Sequence, residues 1–294
     1  MGGSPLEIVV GYDGSPDAQA ALEWAVREAA ARHLGIRVVF AEPELSGLEG
    51  AALTLSEAPG VPPALPPQGP ALVAQAAEVV QRAGVPVRTI ATDGSPASVL
   101  VDQSRDAQMV VLGSRGMGSV SSAILGSTVS HVASHAHCPV IVVQARGNAE
   151  GPVVVGIDGS AESEETLAWA IDHASRHGLD VEVLHSYAIP VYPGVVPYVP
   201  PVEITRATAD FEERVAHEAL AGWSDRYPDV RITTTVVHGR PAQALSQATE
   251  RASLTVVGSH GRGAFLGMLL GSTSQALLHH AKGSVAVLRH RKNA

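Results

Sequence analysis

Gly113, Gly116 and Gly126 follow a short apolar run, and Ser127 and Thr128 come directly after the last of them. The same spacing returns at Gly258, Gly261 and Gly271, followed by Ser272 and Thr273. Closely spaced glycines let the backbone approach a polyphosphate and turn N–H groups inward as an anion nest. A helix beginning at Ser127 or Ser272 would add unbonded N–H groups and the positive end of its dipole. The first loop also carries Ser114, Arg115, Met117, Gly118 and Ser119, and the second Ser259, His260, Arg262, Gly263 and Ala264. Arg115 and Arg262 can supply positive charge, but from different loop positions. Asp13 and Asp158, each in an Asp-Gly-Ser step after another apolar run, can accept hydrogen bonds from ribose hydroxyls or an adenine amine. Each half of this pattern has a bland alternative. A glycine loop after a strand serves as a tight turn, and Asp-Gly-Ser serves as a helix start.

The spacing between the two sets decides how much of the chain to read as one unit. The aspartates are 158 − 13 = 145 residues apart and the distal glycines 271 − 126 = 145. Trp24 and Trp169, Gly94 and Gly239, Pro96 and Pro241, and His135 and His280 share that offset. Solenoid units repeat every 20–50 residues, so this longer period is that of a whole domain. The 294 residues are read as two domains, 1–147 and 148–294, joined by a short polar linker near 145–151. Both candidate loops are duplicated in register, which favours a nucleotide site in each half.

The elements that must position these residues alternate in type. Apolar runs at Ile8–Val10, Val38–Phe40, Val85–Ile90, Met109–Leu112 and Val140–Val143 read as strands buried on both faces. Counterparts are expected near 152–156, 181–185, 232–237, 254–257 and 285–288. Ser15 suits an N-cap with Pro16 at the first helical position, and residues 96–105 and roughly 120–135 read as helices. Such alternation specifies an α/β fold of two tandem doubly wound domains, each a parallel sheet with helices on both faces. Ligands of these sheets bind beyond the carboxyl ends of the strands, where strand order reverses. Proline-rich stretches at 43–70 and 188–203 interrupt the pattern after the second strand of each half, as a lid over the site or as surface insertions.

Composition narrows the function classes. The net charge of −9 lacks the basic footprint of a nucleic-acid binder. Lys282 and Lys292 are the two lysines, so phosphate contacts would fall to arginine and backbone. A lone cysteine, Cys138, excludes a disulfide framework and a thiolate cage and is expected to be buried. No signal peptide or apolar spanning run is evident, so a cytoplasmic location with no membrane partner is expected. His131, His135, His137 and Cys138 are read as helix-end residues, favoured there by the dipole, and no metal ligand is assigned. Trp24 and Trp169 are read as core, and the basic C-terminal tail as solvated. Neither a Walker A loop, nor a G-x-G-x-x-G helix start, nor a G-x-S-x-G elbow is present.

Asp-Gly-Ser after strand one, Gly94-Ser95-Pro96-Ala97 and Gly239-Arg240-Pro241-Ala242 after strand three, and G-x2-G-x9-G-[ST] after strand four together resemble the universal stress protein family. The resemblance spans nearly all of both halves and is to the tandem-domain, ATP-binding, actinobacterial type. It implies five parallel strands and one ATP per domain, with Mg2+ as a possible companion, and halves packed through their fifth strands. It also implies a homodimer acting on a signalling partner that the sequence does not identify. Carried over by motif, Gly11 and Asp13, and Gly156 and Asp158, face ribose and adenine. Ala41 and Ser186 match the adenine contact, and phosphates sit on the loops named above. Residues 113–128 hold no carboxylate or histidine, and residues 258–273 hold only His260, so no catalytic residue is assigned. The expected role is a nucleotide-dependent regulator of stress response or growth. A slow ATPase or nucleotidyl-transfer enzyme and a nucleotide-free interaction scaffold are the alternatives.

Overall fold

A computed structural model describes residues 7–42, 68–116, 125–145, 148, 150–187, 202–261 and 269–289. In the first half β1 (Glu7–Gly11), α1 (Pro16–Arg32), β2 (Gly35–Glu42), α2 (Gly69–Arg82), β3 (Val87–Asp93), α3 (Pro96–Gln103), β4 (Ala107–Gly113), α4 (Ser127–His135) and β5 (Val140–Val143) follow one another. The second half repeats them as β6 (Val153–Ile157), α5 (Ala161–His177), β7 (Val181–Tyr187), α6 (Val202–Ala219), the short α7 (Trp223–Arg226), β8 (Ile232–His238), α8 (Pro241–Ala248), β9 (Leu254–Gly258), α9 (Ser272–His280) and β10 (Val285–Leu288).

The strands form one sheet in the order β3-β2-β1-β4-β5-β10-β9-β6-β7-β8. Every pairing is parallel except β5 with β10, where Val285 opposes Val142 and Val287 opposes Val140. The halves therefore join through their fifth strands, as the resemblance implies. The apolar run of each strand is shared between two layers, because successive side chains point to opposite faces. Ile8 and Val10 pack with Leu22 and Ala25 of α1, while Val9 packs on the other face with Leu100 of α3 and Val132 of α4. Burial on both faces is why these strands read as continuous hydrophobic runs.

Helix starts follow local chemistry. Ser15 Oγ accepts the N–H of Ala18 at 3.2 Å, with Pro16 opening α1. Ser160 Oγ accepts the N–H of Ser163 at 3.3 Å to open α5. Several expectations shift. The third strand runs 87–93 rather than 85–90, because Val85 bonds back to Val80 as α2 ends. Residues 125 and 126 are not helical, Gly126 being extended, so within the expected 120–135 helix the described helical part is Ser127–His135. Gly69 and Pro70, and residues 202 and 203, fall in the first turns of α2 and α6 rather than in loops; proline is compatible with a first helical turn. The other proline-rich positions, 43–67 and 188–201, and the basic tail from 290 lie outside the described residues. Cys138 is buried in the layer of Val9 and Leu100, and Trp24 in that of Ile8 and Leu22, against which Trp169 is half-buried.

Candidate functional site

In each half the strand order reverses between the first and fourth strands, and a cavity opens at their carboxyl ends. The first has a volume of about 530 Å3 and the second about 330 Å3, within the usual range of ligand pockets. Gly11, Asp13, Ala41, Gly113, Arg115, Gly116, Gly126, Ser127 and Thr128 line the first. Gly156, Asp158, Ser186, Gly258, His260, Gly261, Gly271, Ser272 and Thr273 line the second. Residues more than 100 positions apart in sequence thus share one wall in each half.

The aspartates fold the first loop. Asp13 Oδ1 accepts the N–H of Ser15 at 3.0 Å. Asp158 Oδ1 accepts both the N–H of Ser160 at 3.0 Å and its hydroxyl at 2.6 Å. The other carboxylate oxygen packs against the glycine loop. A Cβ on Gly116 would lie 2.5 Å from Asp13 Oδ2, and one on Gly261 2.5 Å from Asp158 Oδ2. Those glycines are there because the carboxylate needs the space. Gly113 meets the same limit from backbone, since its Cβ would fall 2.5 Å from the carbonyl carbon of Asp17.

The helices α4 and α9 present their first turns to the cavities. Gly126 and Gly271 are their N-caps and have no side chain to cap with. Gly126 N–H donates to Ser114 O at 3.3 Å and Gly271 N–H to Ser259 O at 2.7 Å, tying each helix start to its glycine loop. Among the described residues the first-turn N–H groups of Ser127, Thr128, Ser272 and Thr273 have no backbone partner, and such groups suit an anion.

Ser114 and Ser259 are buried behind the cavity walls. Ser114 Oγ donates to Asp17 Oδ2 at 2.6 Å, and Arg115 Nε donates to the same oxygen at 3.0 Å. Ser15 Oγ donates to the carbonyl of Arg115 at 3.2 Å. Asp17, which sequence reasoning passed over, fixes the guanidinium from the first turn of α1. In the second half His260 Nδ1 lies 3.1 Å from Ser259 Oγ. Met117, Gly118, Ser119, Arg262, Gly263 and Ala264 lie outside the described residues.

Sequence reasoning also missed the apolar walls. Val39, Leu100 and Leu112 line the first cavity, and Leu184, Leu245 and Val257 the second. The signal for Leu100 was available: it stands four residues after Pro96, one turn into α3, on the face that meets the sheet. Tyr12 also lines the first cavity, and its hydroxyl donates to Gln19 Oε1 at 3.1 Å. Burial, and then the adjacent Asp13 carboxylate, push the Tyr12 phenol above its ordinary pKa, which keeps it a neutral donor.

The sequence model of the universal stress protein family matches residues 6–144 and again 151–289. The chain belongs to that family. Universal stress protein Rv2623 of Mycobacterium tuberculosis is 38% identical over 304 aligned positions, covering 98% of each chain. Universal stress protein Mb2019 of Mycobacterium bovis is 39% identical, covering 97% of this chain and 95% of its own. Among solved structures, a universal stress protein from Archaeoglobus fulgidus superposes with a TM-score of 0.64 at 20% identity, covering 96% of this chain and 98% of its own. A functionally unknown protein, PA1789 of Pseudomonas aeruginosa, gives 0.66 at 17%, covering 97% and 93%. Both share the fold of this tandem universal stress protein. Among the described residues no helix is long and apolar enough to cross a membrane.

Proposed function

We propose that this universal stress protein binds ATP in both cavities and acts as a nucleotide-dependent regulator, a homodimer in the cytoplasm. One observation carries the reading. In both halves a glycine-capped helix N-terminus, the glycine loop and the Asp-Gly-Ser carboxylate converge on a single cavity. Backbone N–H groups of Ser127 and Thr128, and of Ser272 and Thr273, suit a polyphosphate. Asp13 and Asp158 suit the ribose hydroxyls, and the apolar walls suit the flat base. The glycines fit the group as well, since a side chain at 113 or 116 would collide with protein atoms at the cavity wall.

Bound ATP supplies charge and rigidity here; its role is to hold one conformation. In the first half the lining carboxylate, Asp13, is tied to a backbone N–H, and Arg115 to buried Asp17. These are positioning arrangements, and the chain's own residues bind and orient. Residues 1–147 and 148–294 serve as the two binding units.

Isothermal titration of nucleotide-free protein with ATP tests the reading. Two ATP per chain are expected, with mass spectrometry of the extract identifying the copurified nucleotide and light scattering reporting a dimer. Absence of binding heat together with an unchanged Tm in millimolar ATP would overturn it.

A further inference from the structure

Away from both cavities, α1 and α5 meet across the junction of the halves. Glu28 lies on α1 and is fully buried. His173 and His177 lie one turn apart on α5, the first buried and the second partly open. His177 Nε2 stands 2.7 Å and His173 Nδ1 3.0 Å from Glu28 Oε2. The three ligand atoms all lie within 4.8 Å of one another. The His173 nitrogen is the telling atom: it is buried, faces the carboxylate, and makes no hydrogen bond of acceptable geometry. A buried ring nitrogen held so obliquely against a carboxylate would gain from a partner placed along its lone pair.

We propose that Glu28, His173 and His177 form a site for a divalent transition ion of the Zn2+ class that clamps the two halves together. Two imidazole nitrogens and one carboxylate oxygen are a donor set such ions favour. Histidines at i and i+4 on one helix face converge on a common point, a spacing recurrent in zinc sites. Tetrahedral coordination at bond lengths of about 2.0–2.1 Å needs ligand atoms roughly 3.3 Å apart. The 2.7 and 3.0 Å separations from Glu28 Oε2 lie within about 0.6 Å of that, and the two histidine nitrogens are within 4.8 Å of each other. A water on the open side of His177 would complete the four.

The surroundings position the ligands. Arg32 contacts the second Glu28 oxygen, and its other nitrogen pairs with Asp172 at 2.8 Å. Outer partners of this kind orient a ligating carboxylate, and pairing with Asp172 offsets the arginine charge. Trp24 and Trp169 stack on the His173 ring at 5.7 and 5.3 Å and fix its plane. Glu28 and His173 occupy equivalent positions of the two halves (173 − 28 = 145), so the site lies where the duplicated helices meet.

The test uses the full chain, stripped with chelator and dialysed against Zn2+, with bound metal counted by mass spectrometry. One Zn2+ per chain is expected in the wild type and in His135→Ala, a distant surface control. The count should fall to none in His177→Ala, whose partial exposure favours folding, checked by circular dichroism. Co2+ loading should give the visible absorption of four-coordinate cobalt in the wild type and lose it in His177→Ala. Zn2+ should raise the Tm of the wild type alone. No retained Zn2+, or the same count in His177→Ala as in the wild type, would overturn the proposal.

Discussion

The two cavities are built on one backbone and lined differently. The first has Ala18, Ala41 and Val129 where the second has Ser163, Ser186 and Ser274, and Thr166 of the second takes the place of Ala21. The first sets a guanidinium, Arg115, on buried Asp17; the second has His260 beside Ser259. The first is the larger, at 530 against 330 Å3. Duplication has kept what shapes the backbone, the glycines and the Asp-Gly-Ser step, and let the lining drift. One cavity carries a fixed cation, and the other is smaller and sets hydroxyls where the first has alanines and a valine. Two sites sharing a frame are therefore expected to differ in affinity and in salt response.

The largest break in that comparison comes from the shared frame. Gly116→Val and Gly261→Val each bring a side chain onto an aspartate oxygen, so the carboxylate proposed to hold ribose must move and the added isopropyl group fills part of the cavity. Each variant should bind one ATP per chain by titration calorimetry, and the double variant none. Two sites in either single variant would show that the glycines do not shape the cavities. The single variants then isolate each site for the next test. With the second site silenced, Arg115→Ala should weaken ATP more than tenfold, the scale of a hydrogen bond to a charged group. It should also flatten the salt dependence of binding. With the first site silenced, His260→Ala should cost less. Equal losses would mean that the Asp17 anchor adds nothing.

The frame was legible in the sequence, and much of the lining was not. Glycine and aspartate mark backbone geometry and stand at fixed offsets from apolar runs, so Gly116 and Asp13 could be paired before any coordinates. The strands were legible because burial on both faces leaves an uninterrupted run such as Ile8-Val9-Val10. Asp17 was not, since its partners Ser114 and Arg115 lie 97 and 98 residues away and nothing local distinguishes it from a first-turn acid. Helix α2 was hidden by its own proline. Val73, Ala76 and Val80 carry a helical period, but Pro70 made the start read as loop. The Glu28 cluster needed the antiparallel β5–β10 pairing, which brings the two first helices of the halves together.

A smaller pair of changes probes the first turns. Ser15→Ala and Ser160→Ala each remove an N-cap, at about 1 kcal/mol of stability, measured by urea unfolding. Their effects on ATP should diverge. Ser15 also holds the Arg115 carbonyl, so its loss loosens the cation of the first site. Ser160 instead donates to Asp158 Oδ1, so its loss leaves that carboxylate with more acceptor capacity for ribose. Binding should weaken at the first site and hold or strengthen at the second.

The smallest effect bears on the hydroxyls. Ser163, Thr166, Ser186 and Ser274 already donate to the backbone carbonyls of Ser160, Glu162, Gly239 and Gly258, at 2.7, 3.0, 2.9 and 2.6 Å. With their protons committed, these oxygens offer the second cavity acceptors, whereas the alanines and valine of the first offer none. An acceptor suits an exocyclic amine and does nothing for a carbonyl at the same place. Exchanging the linings at the position proposed to face adenine, Ala41 and Ser186, therefore gives a signed prediction. Ser186→Ala should weaken ATP at the second site by about 0.5–1 kcal/mol, the net worth of one neutral hydrogen bond, and leave an analogue with a carbonyl in place of the amine unchanged. Ala41→Ser should confer part of the same preference on the first site, because the backbone frame that would orient the hydroxyl is common to both. Equal losses for both nucleotides in Ser186→Ala would mean that the hydroxyl only braces the Gly239 carbonyl, and the two cavities would then differ in size and cation but not in how they read a base.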